Sequence, residues 1–156
     1  MISATLRRIV APIAASVLVL ATAGCSLLGG APRDDAGNLT ATASLSLSAL
    51  KVGDCIADVN ALADTVTKVP AVPCSTPHNG ETFGVTTTGT TWLKTYAEGF
   101  CRDQFATYIG VPFDQSKLDV MYFSPQDASA KDKTLTCLAY HKDGSTDTKS
   151  IKGSKQ

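Results

Sequence analysis

The sequence has little that commits it to a charged partner. Fourteen basic residues stand against fourteen acidic ones, and no Lys/Arg cluster breaks that balance, so the electrostatic footprint of a nucleic-acid binder is missing. The same lack leaves nothing polybasic to draw a folded domain onto anionic lipid. Long apolar runs are also missing. The uncharged stretch Ile9–Gly24 has sixteen residues, short of the roughly 20 helical residues that cross a hydrocarbon core. No internal repeat is visible, and no G-x-S-x-G nucleophile elbow occurs. With two histidines in 156 residues, imidazole chemistry is confined to His78 and His141.

The N-terminus does carry a basic head, Arg7 and Arg8, then the apolar run, then small residues ahead of Cys25. That is the layout of a secretory signal. The string "LATAGCS" resembles a bacterial lipobox, which implies that the thiol of Cys25 receives a diacylglyceryl group and that the signal is cut just before it. An ordinary cleaved signal would leave Cys25 a spare thiol, whereas lipidation gives the odd cysteine of an exported chain a use. Each buried methylene of an acyl chain contributes about 0.8 kcal/mol, so two or more chains hold firmly. The expected organisation is a signal peptide over residues 1–24, a lipid-anchored flexible tether over 25–47 and a folded domain over 48–154, at the extracytoplasmic face of the cell membrane. Losing Arg7 and Arg8 leaves 12 basic residues against 14 acidic ones, a net charge of −2. The tether is inferred from "SLLGGAPRDDAGNLTATASLS", where small and polar residues dominate; about twenty such residues reach about 25 Å. Asn38-Leu39-Thr40 matches a glycosylation acceptor, read here as chance.

Beyond Cys25 lie Cys55, Cys74, Cys101 and Cys137. An even number of cysteines in an oxidising compartment reads as two disulfides, with three connectivities open. "LKVGDCIADV" and "TVTKVPAVPC" are short, Val-rich β segments, and "TFGVTTTG" continues as a third strand. From about Thr90 to Ile109 the spacing changes to three and four: Leu93, Tyr96, Ala97, Phe100, Cys101, Phe105 and Tyr108 mark one face of a helix. Thr90 or Thr91 is the expected N-cap, and Gly110 ahead of Pro112 stops the helix. "KLDVMYFSP" reads as a half-buried strand and "TLTCLAYH" as another, and Asp143-Gly144 offers a tight turn into a last strand, "TDTKSIK". Pairing Cys55 with Cys74 joins neighbouring strands. Pairing Cys101 with Cys137 pins the helix on the sheet. The expected fold is therefore α+β, a small antiparallel sheet of five to six strands with one helix packed on it and two disulfides.

"VGDCI", "VPCSTPHNGE", "FCRDQFATYIGV" and "LDVMYFSPQDASAKDKTLTC" resemble, in that order, the septum-formation-related domain of actinobacterial membrane proteins and lipoproteins, over about Leu50 to Lys152. The resemblance implies an envelope protein linked to cell division by association. It implies no known reaction, ligand or cofactor.

The stretch "VPCSTPHNGE" gathers a thiol, a hydroxyl, an imidazole and a carboxylate, and Ser75, His78 and Glu81 form a candidate binding corner. Three chemistries can be drawn on it. Cys74 beside His78 would serve as a nucleophile only if reduced, exposed and of low pKa. Ser75, His78 and Asp54 could form a hydrolase triad. Cys55, Cys74, His78 and Glu81 could hold zinc, although the spacing from Cys74 to His78 is not that of a usual structural zinc site. Against these stands a structural corner: Pro73 and Pro77 fix φ, side-chain oxygens of Ser75, Thr76 and Asn79 satisfy loop amides, and Gly80 is free to take positive φ. In that reading His78 hydrogen-bonds across the corner and Glu81 accepts from backbone donors. His141 is expected to be solvated. The structural corner is preferred. The expected activity is non-catalytic binding or scaffolding, with the membrane and a protein or envelope component as partners. The alternative is a small envelope hydrolase or metal-binding enzyme centred on Ser75, His78 and Glu81.

Overall fold

The computed structural model describes residues 30–62, 66–88, 94–124 and 133–156. The expected signal peptide, Cys25 and the Thr90/Thr91 cap lie outside these residues. Six strands, β1 (Ala43–Ser46), β2 (Cys55–Ile56), β3 (Lys68–Val72), β4 (Gly80–Thr87), β5 (Asp119–Phe123) and β6 (Thr134–Tyr140), form one sheet in the order β1-β3-β2-β4-β6-β5. Every neighbouring pair is antiparallel. One helix, α1 (Lys94–Ile109), packs on the sheet. The α+β fold expected from the sequence is the one observed, with both expected disulfides, Cys55–Cys74 and Cys101–Cys137. Among the described residues no helix is long and apolar enough to cross a membrane.

The helix forms because Ala97, Cys101, Phe105 and Tyr108 recur at one face and are all buried. It ends where Gly110 takes φ +89° and donates its N–H to the Ala106 carbonyl, 3.0 Å away. Phe105 meets Phe83 and Phe113 edge-on, with ring centroids 5.5 Å apart in each pair. Tyr96 departs from the expected stripe: it is 48% exposed and stacks on the half-buried Phe100, one step outside the core.

The curled sheet has an apolar layer on each face. One holds the helix with Phe83, Cys137 and Ile151. The other gathers Leu39, Leu45, Ile56, Val59, Val69 and Leu138. This explains β5, expected to be half-buried: Val120 and Tyr122 pack with the helix layer while Met121 and Phe123 pack with the other.

That second layer corrects the expected tether. Residues 30–47 are folded onto the domain. β1 pairs with β3 from Ala43↔Ala71 to Ser46↔Lys68, Leu39 and Leu45 are buried, and Arg33 reaches Asp54. The Ser/Thr-rich composition reads as flexible coil, but Leu45 points inward between exposed or half-exposed serines, which is all an edge strand needs. A buried leucine contributes about 1.5–3 kcal/mol. The upstream turn is held by Asp34, whose carboxylate accepts from the backbone N–H and side-chain amide of Asn38.

The expected last strand is also corrected. The turn is present, with Gly144 at φ +79° and its N–H on the His141 carbonyl, but the chain beyond it does not pair with β6. Both edges of β6 are already taken, by β4 and β5. The tail crosses instead to the corner, where Asp147 and His78 exchange backbone hydrogen bonds of 3.1 and 2.8 Å. It then buries Ile151 and closes the helix C-terminus: Gly153 N–H donates to the Tyr108 carbonyl and Lys155 N–H to that of Ile109.

Candidate functional site

The corner sits where β2, β4, the helix end and the C-terminal tail converge. The Cys55–Cys74 disulfide, Cα–Cα 5.3 Å, ties the loop after β3 to β2. Its turn is closed by the Thr76 N–H on the Pro73 carbonyl, 2.8 Å. Ser75 is exposed at the rim, while His78 and Glu81 are 1% and 0% exposed.

Glu81 is held by three hydrogen-bond donors. Its Oε1 accepts from the Tyr108 hydroxyl at 2.5 Å and from Ser150 Oγ at 2.6 Å, and its Oε2 accepts from the Ile151 N–H at 2.7 Å. Burial first, and the adjacent Glu81 carboxylate second, push the Tyr108 phenol above its ordinary pKa. The expected acceptance from backbone donors is thus realised once, by Ile151; the two hydroxyls are additions.

His78 is held by Nδ1, 2.7 Å from the Thr76 carbonyl. A carbonyl only accepts, so in the neutral ring the proton is assigned to Nδ1 and Nε2 carries a bare lone pair. Nε2 is buried without a hydrogen-bond partner. Native interiors rarely leave a polar atom in that state.

Asn79 does the loop-bracing expected of it: Oδ1 accepts from the Val59 N–H at 2.6 Å and Nδ2 donates to Asp58 at 2.8 Å. Gly80 is needed for a different reason than expected. It does not take positive φ; a Cβ there would lie 2.3 Å from Val59 Cγ2 and 3.3 Å from the Ala139 carbonyl. Close approach, not turn geometry, requires glycine.

Of the three chemistries drawn on the sequence, the triad is not assembled. Arg33 holds both Asp54 oxygens, at 2.6 and 2.8 Å, with the Lys51 N–H adding a third bond, and His78 Nδ1 is engaged by Thr76. The Cys74 nucleophile is tied up as a disulfide. The zinc set is brought together: Cys55, Cys74, His78 and Glu81 each present a ligand-type atom, all within 4.8 Å of one another. His141 is corrected from a solvated to a paired position, its Nε2 2.7 Å from Asp147 Oδ2 with the side chain 13% exposed, because the tail folds back over it.

Beside the corner opens a cleft of about 380 Å³ whose wall includes Asn38, Val52, Cys74, Ser75, Tyr108 and Lys152. Lys152 Nζ stands 5.8 Å from the Tyr108 ring centroid, within cation–π range. Lys152, Ser150 and Arg33 were missed at the level of sequence. Of the two side chains that donate to Glu81, Tyr108 had a signal there, on the helical stripe, and Ser150 had none.

Comparisons with family models, with curated proteins and with solved structures gave no match to this chain. The likeness to the septum-formation-related domain therefore rests on the motifs quoted above.

Proposed function

We propose that this chain is a lipid-anchored protein of the extracytoplasmic envelope, held to the cell membrane through Cys25, whose folded part is a non-catalytic binding or scaffolding domain associated with septum formation. Support for export comes from the basic head and apolar run ahead of Cys25 and from two disulfides, which persist in oxidising compartments. The observation that carries the binding reading is the division of labour at the corner. Glu81 turns inward to hold β4, the helix and the tail together and His78 turns inward onto the Thr76 carbonyl, while the open cleft next to them presents Ser75, Val52 and Lys152 to solvent. The partner is a protein or envelope component.

A photo-crosslinking residue at Val52, which is 50% exposed, tests the cleft in intact membranes. Capture of the same envelope component each time, lost when Ser75→Arg fills the cleft, is expected. Cys25→Ser is expected to move the chain out of the membrane fraction. A purified chain that hydrolyses an envelope substrate, with activity lost in Ser75→Ala at unchanged melting, would establish the rival enzyme centred on Ser75, His78 and Glu81.

A further inference from the structure

The Cys55–Cys74 bond lies against two groups that a structural disulfide does not need. His78 brings a ring nitrogen, and Glu81 a carboxylate oxygen, within 4.8 Å of both sulfurs. His78 is oriented as metal-binding histidines are, with Nδ1 donating to a backbone carbonyl and Nε2 left as the ligand atom. That Nε2 is buried and unpartnered, so the oxidised state gives it nothing to bind. Glu81 has the same character: Tyr108, Ser150 and Ile151 orient the carboxylate and leave lone pairs over, since two oxygens offer about four acceptor positions.

We propose that the disulfide is the closed form of a redox-gated zinc site, in which the reduced Cys55 and Cys74, His78 Nε2 and Glu81 bind one Zn²⁺ tetrahedrally. Zinc binding needs no partner in the cleft, only the opening through which a reductant reaches Cys74. The reductant is a dithiol. One of its thiolates attacks the Sγ of Cys74, the half-buried residue at the cleft wall, and the fully buried Cys55 leaves as thiolate. The second dithiol sulfur then displaces Cys74. Two electrons and two protons pass from the dithiol, which becomes a disulfide, to the two cysteines. Zn²⁺ displaces both thiol protons and takes the Nε2 lone pair and one Glu81 oxygen. Sulfurs at about 2.3 Å from zinc stand about 3.8 Å apart in a tetrahedron, so zinc binding requires the half-buried Cys74 side chain to rotate away from Cys55 once the bond is cut.

The second bridge makes the gate selective. Cys101 and Cys137 are 2% and 0% exposed under the helix, so a dithiol reaches Cys74 first and the remaining disulfide keeps the domain folded. Zinc stabilises only the reduced form, so at a concentration a hundredfold above its Kd it shifts the reduced-to-oxidised ratio about 100-fold.

The test uses the full chain in detergent, reduced anaerobically with a phosphine, and Co²⁺ alone as the probe. One Co²⁺ per chain with the visible bands of tetrahedral thiolate coordination is expected after reduction and none before, with displacement by Zn²⁺. His78→Ala should weaken Co²⁺ binding more than about 100-fold, and Tyr108→Phe, which only orients Glu81, about 10-fold or more. In the wild-type chain, Zn²⁺ added after reduction should shield Cys55 and Cys74 from alkylation, read by peptide mapping, which keeps the test alive if His78→Ala does not fold. A spectrum that stays silent on reduction, one unchanged in a folded His78→Ala chain, or alkylation of Cys55 and Cys74 unaffected by Zn²⁺ would each overturn the proposal. If reduction unfolds the chain, Zn²⁺ must restore its native circular dichroism, and failure to do so also overturns it.

Discussion

Replacing Glu81 with alanine removes the acceptor on which three separate elements meet. The Tyr108 hydroxyl belongs to the helix, Ser150 and Ile151 to the C-terminal tail, and Glu81 itself to β4. Ser150 is exposed and regains water when the carboxylate is lost. The Tyr108 hydroxyl and the Ile151 N–H are buried and do not. Each orphaned buried donor costs about 1–3 kcal/mol, so Glu81→Ala should lose about 2–6 kcal/mol before any cavity cost, against a domain total of about 5–15. Glu81→Gln keeps the volume. Its single amide oxygen can serve Ile151 while the NH₂ donates to the two hydroxyls, which rotate to accept, so a loss of about 1–2 kcal/mol is expected. Urea unfolding followed by far-ultraviolet circular dichroism measures both, with wild type most stable, Gln intermediate and Ala least. An alanine chain within about 1 kcal/mol of wild type, or one more stable than Gln, would refute the claim that this carboxylate joins the three elements.

Four other outcomes follow from particular contacts. Gly80→Ala should cost about 1–3 kcal/mol by overpacking, since its Cβ would meet Val59 at 2.3 Å; Gly80→Ala combined with Val59→Ala should not add the two single losses if that contact is the cause, which a double-mutant cycle in urea reads directly. Arg33→Ala leaves the 2% exposed Asp54 carboxylate with only the Lys51 N–H and should lower the urea midpoint by an amount equivalent to about 3–5 kcal/mol, whereas a flexible tether over residues 25–47 would give no change. Tyr108 has its folded pKa raised, so its contribution is complete below the unfolded value of about 10 and is lost as pH rises from there towards the folded value, at no more than about 1.4 kcal/mol per pH unit; stability measured from pH 8 upward should fall less steeply in Tyr108→Phe than in wild type. The disulfides close loops with sequence separations of 19 and 36, about 3 and about 4 kcal/mol on loop entropy, so Cys101→Ser with Cys137→Ser should lower the melting temperature more than Cys55→Ser with Cys74→Ser.

Local pattern carried much of the fold. The spacing of Ala97, Cys101, Phe105 and Tyr108 is a property of the chain alone, and so are the Val-rich segments that became β2 and β3 and the stop at Gly110. With Cys101 on the buried face of a helix and Cys137 in a strand, their pairing was the favoured one of three connectivities, and the structure has it. Where prediction failed, the deciding contact came from far along the chain. Leu39 and Leu45 look like isolated leucines in a soft linker until β3 offers an edge and the far face of the sheet needs covering. "TDTKSIK" reads as a hairpin partner until β5 is found occupying the edge of β6 that it would need.

The candidate site divides in the same way. That a thiol, an imidazole and a carboxylate stand within ten residues of one another is written in "VPCSTPHNGE". That Ser75 faces solvent while His78 and Glu81 face inward is decided by the strand that begins at Gly80 and by the tail, 69 residues beyond Glu81, that brings Ser150 to its carboxylate. Residue types and short-range periodicity are properties of the chain, and they determined the helix, the strands β2 to β6 and the supply of sulfur. Which polar atom is satisfied, and which, like His78 Nε2, is left without a partner, depends on groups distant in sequence that only chain closure places within 3 Å.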